Sequence, residues 1–362
     1  MRLIRPLYVV RLAALLLGLS VCLPAGLQAQ TKAPKKATSA RSSTAAKKPA
    51  PRPAYSATSA KARKARLARA RAAAKAREAA RMRAAAAALR EAMTPRFKTD
   101  ASGSLVPDLR AAAAIAFNPE NGEIVWQENG QQKRPIASIT KVMTALVFLE
   151  DDPDLSRVAT VERSDVYAAS TTYLRANERV SLDNLLHLAL IPSDNAAARA
   201  LARLSHGGTA SFVERMNEKA IELGLESTAF ADPSGLNAAN VSTAYDLSRL
   251  ITYASSDERI ASIMRMQHYT LTTSRRTLRI NNTNKLLAGT GVDVMAGKTG
   301  FISKAGYCLA TLLRLPQSQQ TVAVVVLGAK SNTGRFWETR HLFNWLSQKA
   351  SDLFVKDQQQ QD

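Results

Sequence analysis

The basic residues of this 362-residue chain are concentrated near its N-terminus, and this limits where a folded domain can lie. Residues 31–91 contain 18 Lys and Arg against two Glu, and contribute +16 of the formal net charge of +21. Residues 1–30 contribute +3, which leaves a nearly neutral +2 for residues 92–362. Residues 31–60 have almost no large apolar side chains, so they cannot bury enough surface to offset the entropy of ordering. We therefore predict a disordered basic tail followed by a globular body.

The first 29 residues have the pattern of a cleavable export signal. Three arginines precede an apolar run over residues 12–23, and Leu-Gln-Ala at 27–29 offers a small-residue cleavage site. A transmembrane anchor needs about 20 apolar residues, more than this run supplies. A lipoprotein signal at Cys22 is disfavoured by the bulky valine before it. We predict export to the periplasm, with no stable transmembrane anchor after cleavage.

The predicted tail spans residues 30–106 and is disordered or partly helical. From Lys61 to Glu91 it is rich in Ala, Arg and Lys, which favour helix, but no apolar stripe accompanies them. A helix here is expected to be solvated. Two roles stay open, namely attraction to an anionic cell-envelope polymer and a soluble spacer. Because the chain is predicted to be exported, we do not expect nucleic acid to be its partner.

Cysteine and histidine usage indicates neither a disulfide framework nor a metal centre. Signal cleavage removes Cys22 and leaves Cys308 as the single cysteine, so no internal disulfide is expected. The histidines are scattered, with no second ligand at metal spacing. They are His187, His206, His268 and His341.

Hydrophobic patterns predict an α+β domain over residues 107–350, followed by a polar tail over 351–362. Apolar runs at 111–117 and 123–127 flank Asn118–Gly122, whose residues favour a turn, so a β-hairpin is predicted. Further strands are predicted over residues 299–302, 307–315 and 321–328, the last a nearly continuous valine run typical of a buried strand. Helices are predicted over residues 138–150, 181–190, 195–204, 209–223, 244–254 and 333–350. The last of these is amphipathic, and packing on the sheet is favoured over a membrane-surface role.

Ser138-Ile-Thr-Lys141 places a hydroxyl and an amine at positions i and i+3 of a predicted helix, on one face. A serine hydroxyl becomes an effective nucleophile when a neighbouring base takes its proton. Lysine can be that base only if burial or another cation lowers its pKa. Alone the motif is weak, since a capping serine and a surface lysine give the same pattern.

Ser193-Asp-Asn195 lies in a Pro-initiated break between two predicted helices. Ser193 or Asp194 is expected to cap the second helix. Capping is compatible with a functional role, because it does not prevent Ser193 or Asn195 from facing a cleft.

Lys298-Thr-Gly300 begins a predicted strand. The lysine supplies a fixed charge, the threonine a hydroxyl for a carboxylate, and the glycine lets a substrate backbone lie against the strand. A P-loop is rejected, because Val292 stands where that motif needs glycine and a strand rather than a helix follows.

The three motifs in this order are the set of the penicillin-binding proteins and class A β-lactamases. Longer segments also fit: IASITKVMTALV, IPSDNAAARALA, FADPSGLNAANVSTAYDLSRLI and GKTGFISKAGYCL. Over about residues 108–348 the chain resembles the low-molecular-mass penicillin-binding proteins, the D-Ala-D-Ala carboxypeptidase and endopeptidase family (peptidase S11). The resemblance implies a transpeptidase-like α+β fold, with an antiparallel sheet flanked by helices and a helical subdomain.

Within that family the chain is most similar to the penicillin-binding protein 7 type, a D-alanyl-D-alanine endopeptidase. NVSTAYDLSRL and KTGFISKAGYCL look like that branch's versions of these segments. The chain also ends 17 residues after Trp345, so a carboxypeptidase-type C-terminal β-domain with its anchor is not expected. Release of a terminal D-Ala stays open, because both reactions break a D-Ala-linked peptide by the same route.

The resemblance assigns roles to the first two motifs. Ser138 attacks the carbonyl of a peptidoglycan stem peptide, and Lys141 accepts its proton. Ser193 and Asn195 relay the proton and orient the substrate amide. Peptidoglycan stem peptides are thus the implied substrates, β-lactam antibiotics the implied covalent inhibitors, and no metal or organic cofactor is required.

The third motif is expected to bind substrate. Lys298 helps to keep Lys141 neutral, while Thr299 and Gly300 hold the substrate carboxylate and backbone. The oxyanion hole is formed by the backbone N–H groups of Ser138 and Phe301.

Two alternatives remain. A class A β-lactamase shares the fold and the motifs, but needs a glutamate in a Glu-x-x-Leu-Asn arrangement to activate the deacylating water. The corresponding segment here, DPSGLN at 232–237, has no glutamate. A non-catalytic wall-binding protein that uses the basic tail is the other alternative, and the presence of all the expected catalytic residues argues against it.

Overall fold

The computed structural model describes residues 57–289, 291–316 and 318–359. The predicted signal peptide and the first part of the predicted basic tail lie outside these residues. The chain divides into two units within its first helix, Met1–Ala68 and Arg69–Asp362, and all later elements belong to the second unit.

Helices and short strands alternate along the described residues. In chain order they are α1 (Ala57–Met93), β1 (Phe97–Thr99), β2 (Leu105–Pro107), β3 (Ala113–Phe117), β4 (Ile124–Glu128), β5 (Arg134–Pro135), α2 (Thr140–Glu150), β6 (Val158–Thr160), α3 (Arg163–Val166), β7 (Arg179–Ser181), α4 (Leu182–Leu190), α5 (Asn195–Leu204), α6 (Gly208–Glu222), β8 (Val241–Ser242), α7 (Ala244–Ser255), α8 (Glu258–Arg265), β9 (His268–Thr272), β10 (Thr277–Asn281), β11 (Asp293–Ile302), β12 (Gly306–Arg314), β13 (Thr321–Ala329) and α9 (Asn332–Gln359).

Helix α1 lies in the predicted basic tail. Its 37 residues correspond to about 55 Å at 1.5 Å per residue, and its side chains from residue 59 to residue 91 are exposed. Alanine and arginine favour the helix, while charge on all sides leaves no apolar face to bury. Across the described ranges, α1 included, no helix combines the length and apolarity needed to span a bilayer.

A five-stranded antiparallel sheet forms the centre of the second unit, in the order β11-β12-β13-β3-β4. The predicted hairpin is β3–β4, in which Ile115 pairs with Gln127. Strand β13 has its residues alternating between two hydrophobic clusters, with Val325 in one and Val324 in the other. Both side chains are fully buried, so the valine run is a strand covered on both faces, as predicted.

Helices cover this sheet on both faces. Helix α7 contacts β3, β12 and β13, whereas α9 contacts β12 and β13 with Phe336 and Phe343 in the other cluster. Helix α2 contacts α4, α5, α6 and α7, and all its side chains from Thr140 to Leu149 are buried. The predicted α+β class, with an antiparallel sheet and a helical part, is confirmed.

Several elements differ from the sequence prediction. Strand β11 begins at Asp293, six residues before the predicted start, and α9 continues past residue 350 to Gln359. Helix α8 and the hairpin β9–β10 were not predicted. The hairpin alternates exposed polar residues with the buried Leu271 and Ile280 and the half-buried Tyr269 and Leu278, a strand pattern that the sequence prediction overlooked.

Candidate active site

Ser138 lies on a single 3-10 turn, Ala137–Ile139, that leads into α2. The prediction that the α-helix begins at Ser138 is therefore wrong by two residues: the residues before Thr140 form the 3-10 turn, which opens at Ala137 with a φ of +50°, outside the helical region. Ser138 and Lys141 nevertheless lie on the same side of the turn, as their i, i+3 spacing predicted. Ser138 is half-buried, and its Oγ lies 2.9 Å from Nζ of Lys141.

Two glycines hold the backbone of this turn from opposite segments. A Cβ atom on Gly235 would lie 2.0 Å from the carbonyl oxygen of Ala137, and one on Gly300 would lie 2.7 Å from the carbonyl oxygen of Ile136. Side chains at either position would push the turn away. The close approach requires glycine at both positions and fixes where the Ser138 N–H points.

Lys141 is completely buried in the first turn of α2. Its Nζ donates to Ser138 Oγ, and also to Asn195 Oδ1 and the Ser234 carbonyl oxygen, both at 2.6 Å. Burial, which disfavours the ammonium form, lowers the pKa of Lys141 to about 7, although nearby Asp194 and Asp232 act in the opposite direction. A large fraction of Lys141 is therefore a neutral amine near neutral pH.

The second motif lies between α4 and α5. Asp194 caps α5 by accepting from the Ala197 N–H at 3.0 Å, so one of the two predicted caps is correct. Ser193 has a φ of +66° and accepts a 2.8 Å bond from Lys298 Nζ. Asn195 contacts Lys141 through Oδ1 and donates from Nδ2 to the Ala169 carbonyl at 2.7 Å.

The third motif lies on β11, at one edge of the sheet. Lys298 is buried, and burial followed by repulsion from Lys141 and Arg335 holds the pKa of Lys298 well below its usual range. Both causes considered from the sequence lower the pKa of Lys141: burial is the larger, and the nearby cation that contributes is Arg199 rather than Lys298. The repulsion between the two lysines lowers the pKa of Lys298. Thr299 Oγ1 donates to Thr283 Oγ1 at 2.6 Å.

A cleft of about 390 Å³ joins these motifs. Lys141 and Lys298 lie beneath its surface, since both are buried. Phe301 is 49% exposed at the rim, with its ring stacked on Tyr307 at a centroid distance of 4.2 Å. The predicted residues that line the cleft are Ser138, Ser193, Asn195, Thr299, Gly300 and Phe301. The structure therefore brings together all the residues that the three motifs contributed to the prediction.

A fourth segment, Asp232–Gly235, completes the surroundings of Lys141 and was missed as a part of the site. Asp232 Oδ1 accepts from the N–H groups of Ser234 and Gly235 at 2.6 and 2.8 Å, and from Ser234 Oγ at 2.6 Å. This tight turn aims the Ser234 carbonyl at Lys141. Its Asp-Pro-Ser-Gly sequence indicates a turn, but nothing in residue type reveals that a carbonyl serves the site.

Arg335 and Thr283 were also missed. Arg335 lies near the start of α9 and lines the cleft, where it donates to the Gly300 carbonyl at 3.0 Å. Burial lowers the pKa of Arg335 to about 10. Thr283 follows β10 and fixes the hydroxyl of Thr299. Neither lies in a recognisable motif, because each reaches the cleft only through packing of distant elements.

The charges around the cleft favour an anionic ligand. Within the described residues, Lys298 and Arg335 have no carboxylate within 4.0 Å, whereas many other basic side chains form ion pairs. Ser138 lies next to Lys141, a base of lowered pKa, and close to these two basic side chains. This is an arrangement for acyl transfer from a substrate that carries a carboxylate.

Comparisons with known proteins place this acyl-transfer site in a family. Residues 100–331 match the model of the peptidase S11 family, described as D-alanyl-D-alanine carboxypeptidase. The chain is 33% identical over 244 residues to the D-alanyl-D-alanine endopeptidase of Escherichia coli K12, covering 66% of this chain and 78% of that protein. It is 32% identical to the D-alanyl-D-alanine endopeptidase of Pseudomonas aeruginosa, covering 67% and 79% respectively.

A solved structure agrees with these relatives. The DD-transpeptidase of Streptomyces K15 superimposes with a TM-score of 0.62 at 29% identity, over 66% of this chain and 97% of that one. The chain belongs to the peptidase S11 family, and the recognition made from its motifs is confirmed.

Gly235→Ala tests how closely the turn that carries Ser138 is held. Because the new Cβ would overlap the Ala137 carbonyl and lie 2.9 Å from the Ser138 nitrogen, we expect a loss of about 3 kcal/mol or more in unfolding free energy. Labelling by a fluorescent penicillin should slow more than about tenfold as the serine shifts.

The matched control is Gly103→Ala, at a similar φ of +84° but with open space around the Cβ position. It should cost about 1–2 kcal/mol, from backbone strain alone, and leave labelling unchanged. Equal stability losses and normal labelling in both variants, measured by urea denaturation and gel fluorescence, would contradict the close packing.

Proposed function

We propose that the chain is a serine-type D-alanyl-D-alanine peptidase that cleaves peptidoglycan stem peptides through an acyl-enzyme on Ser138. The observation that carries this proposal is the 2.9 Å contact between Ser138 Oγ and Lys141 Nζ, with the pKa of Lys141 at about 7. The hydroxyl therefore lies next to a base whose pKa is close to neutral pH, and general-base catalysis is most effective when the pKa of the base is near the working pH. Membership of the S11 family supplies the substrate class.

Acylation starts when neutral Lys141 takes the Ser138 proton while Oγ attacks the carbonyl carbon of the D-alanine residue. The resulting oxyanion is bound by the backbone N–H groups of Ser138 and Phe301, two residues at the cleft surface. The tetrahedral intermediate then collapses and its C–N bond breaks. The leaving amine takes the proton of Ser193, which is hydrogen-bonded to Lys298. Ser193 then recovers the proton that Lys141 accepted, so Lys141 is again a neutral amine when the amine product leaves.

Deacylation repeats these steps with water as the nucleophile. Water attacks the ester carbonyl carbon and Lys141 accepts its proton; as the C–O bond breaks, Lys141 returns this proton to Ser138 Oγ, which leaves as the alcohol. Asn195, held between Lys141 and the Ala169 carbonyl, orients the substrate amide next to the ester. No metal or organic cofactor takes part in either half of this reaction.

The substrate carboxylate is bound by the hydroxyl of Thr299, whose proton turns to it from Thr283 Oγ1 while Thr283 donates to Thr299 instead. The positive charge of Arg335 lies close to the same strand. Thr299 and Gly300 line the cleft, and Arg335 donates to the Gly300 carbonyl. Buried cations without carboxylate partners in the described structure favour an incoming anion. β-Lactam antibiotics, which carry a carboxylate next to a reactive amide, enter the same site and acylate Ser138.

A class A β-lactamase is not favoured. That reaction needs a glutamate to activate water, and the turn over residues 232–237 supplies none. The Ser234 hydroxyl in this turn is buried and bonded to Asp232, so it is not directed at an acyl group. The similar proteins described above are D-alanyl-D-alanine peptidases or a DD-transpeptidase.

Within the family, we assign the chain to the endopeptidases, which cut the peptide cross-links of peptidoglycan. We also propose that it acts in the periplasm. Two relatives of about one-third identity bear the endopeptidase name. The export signal predicted over residues 1–29 lies outside the described residues, and it fits a substrate that is found outside the cytoplasm.

The exposed cations of α1 support attraction of the tail to an anionic cell-envelope polymer. Eleven Lys and Arg lie on this helix against two Glu, with no apolar face. Such attraction weakens as ionic strength rises, which separates it from the alternative of a soluble spacer.

The rate of Ser138 acylation should follow the protonation of Lys141. Because the neutral amine is the base, the second-order rate constant for a fluorescent penicillin should rise about tenfold per pH unit below pH 7 and level off above it. Lys141→Arg, which stays protonated, should not react. Arg199→Gln should move the midpoint to higher pH, because the charge of Arg199 lowers the pKa of Lys141. A rate that is flat between pH 5 and 9 would contradict this assignment.

Purified muropeptides test the substrate preference. The mature chain should convert cross-linked dimers to monomers faster than it shortens pentapeptide monomers, with Ser138→Ala as the inactive control. Chromatography of both substrates over time gives the two rates. Dimers that stay intact while pentapeptides lose their terminal D-Ala would overturn the endopeptidase assignment but keep the peptidase.

A further inference from the structure

The loop between α3 and β7, residues 168–178, forms one wall of the cleft in a strained backbone conformation. Ser170 and Thr171 line the cleft directly. Ala168 and Ser170 have φ values of +49° and +60°, which L-residues other than Asn and Asp rarely adopt. Such conformations persist only where surrounding contacts fix them. The contacts that fix this loop therefore bear on the geometry of the site.

On its inner side the loop is bonded to the second motif. The Thr171 carbonyl accepts from the Asn195 N–H at 3.0 Å, and the Ala169 carbonyl accepts from Asn195 Nδ2 at 2.7 Å. The Tyr173 N–H donates to Asp194 Oδ2 at 2.5 Å. A shift of the loop would thus move Asn195, whose Oδ1 contacts Lys141.

On its outer side the loop is held by Arg276, from the turn between β9 and β10. Arg276 Nε donates to Glu178 Oε1 at 2.9 Å, and its terminal nitrogen reaches both Glu178 Oε2 at 3.4 Å and the Tyr173 carbonyl. Glu178 is completely buried, and its Oε2 also accepts from the Arg175 N–H at 2.9 Å. One guanidinium therefore joins two points of the loop and compensates a buried carboxylate.

The turn that carries Arg276 is itself anchored to the end of the loop. The Ser274 N–H donates to the Arg179 carbonyl, and the Arg179 N–H donates to Ser274 Oγ, both at 2.9 Å. From this turn β10 runs toward Thr283, which fixes Thr299 on the opposite wall. The hairpin thus connects both walls of the cleft, and Arg276 is its link to the loop.

We propose that Arg276 and Glu178 are positioning residues for the acylation reaction: their ion pair holds the 168–178 loop, and through it Asn195, in the geometry that Ser138 and Lys141 require. Neither residue lines the cleft or touches the reacting atoms. The inference rests on the proposed peptidase function, and it adds residues that lie outside the three motifs. Removal of Arg276 leaves a buried carboxylate without its cation and a carbonyl without its donor, so the loop must rearrange.

Arg276→Ala tests this role by the rate of acylation in folded protein. At a temperature well below the thermal midpoint, the second-order rate constant for a fluorescent penicillin should fall at least tenfold, approaching about 10²-fold if Asn195 moves by about 1 Å. Arg276→Lys should recover the thermal midpoint, because the charge stays beside Glu178. It should still react more slowly than the natural chain, because a single ammonium cannot replace the guanidinium fork.

The matched control is Arg215→Ala, which breaks the two-bond ion pair of α6 with Asp151, at 2.6 and 3.0 Å. Its exposed fraction, 25%, is close to the 30% of Arg276, and neither Arg215 nor Asp151 lines the cleft. This variant should lower the thermal midpoint and keep the natural rate of acylation. That difference separates positioning from general stability.

The inference is overturned if folded Arg276→Ala reacts at the natural rate, or if Arg215→Ala slows acylation equally. Should Arg276→Ala not fold, Arg276→Lys and the double variant Glu178→Gln, Arg276→Gln, which has no buried charge, are measured instead. Natural rates in both would equally overturn it. Failure of the proposed function is a separate result, because the unmodified chain would then not be acylated at all.

Discussion

Lys141 is an ionisable side chain buried among helices, and the rest of the cleft is arranged around that burial. Its ordinary pKa of 10.5 falls to about 7 in the folded chain. Between these values the unfolded chain binds more protons than the folded one, so this group makes stability rise with pH across that window. Below it, the burial costs on the order of 5 kcal/mol. Packing of the apolar residues of α2 against its neighbouring helices offsets this unfavourable free energy. The same burial provides a neutral amine next to Ser138.

The hydrogen-bond partners of the Lys141 amine come from three separate segments. Ser138 comes from the turn before α2, Asn195 from the start of α5, and the Ser234 carbonyl from the Asp232 turn. Ala137 and Ser193 are held at positive φ close to these contacts. Backbone strain is common at functional sites, where the surrounding structure determines it. The hydrophobic core thus stabilises a cleft whose local conformations are unfavourable on their own.

The sequence predicted those parts of the molecule in which residue type and period carry the signal. The valine run of β13 and the β3–β4 hairpin have clear patterns, and the three motifs named the side chains that meet at the cleft. The Ser234 carbonyl could not be predicted, because a backbone group has no residue-type signature. Arg335 and Arg276 look like ordinary surface arginines in the sequence, since only tertiary packing brings α9 and the β9–β10 turn to the site. The helix start at Ser138 was wrong because its preceding turn is fixed by distant glycines rather than by helix propensity.

The central claim is that Ser138 forms the acyl-enzyme, and peptide mass spectrometry after reaction with benzylpenicillin tests it most directly. The chain should be modified once, and fragmentation should place the penicilloyl group on Ser138. Ser138→Ala should remain unmodified under the same conditions. A penicilloyl group on Ser193 or elsewhere, or modification that persists in Ser138→Ala, would contradict the account.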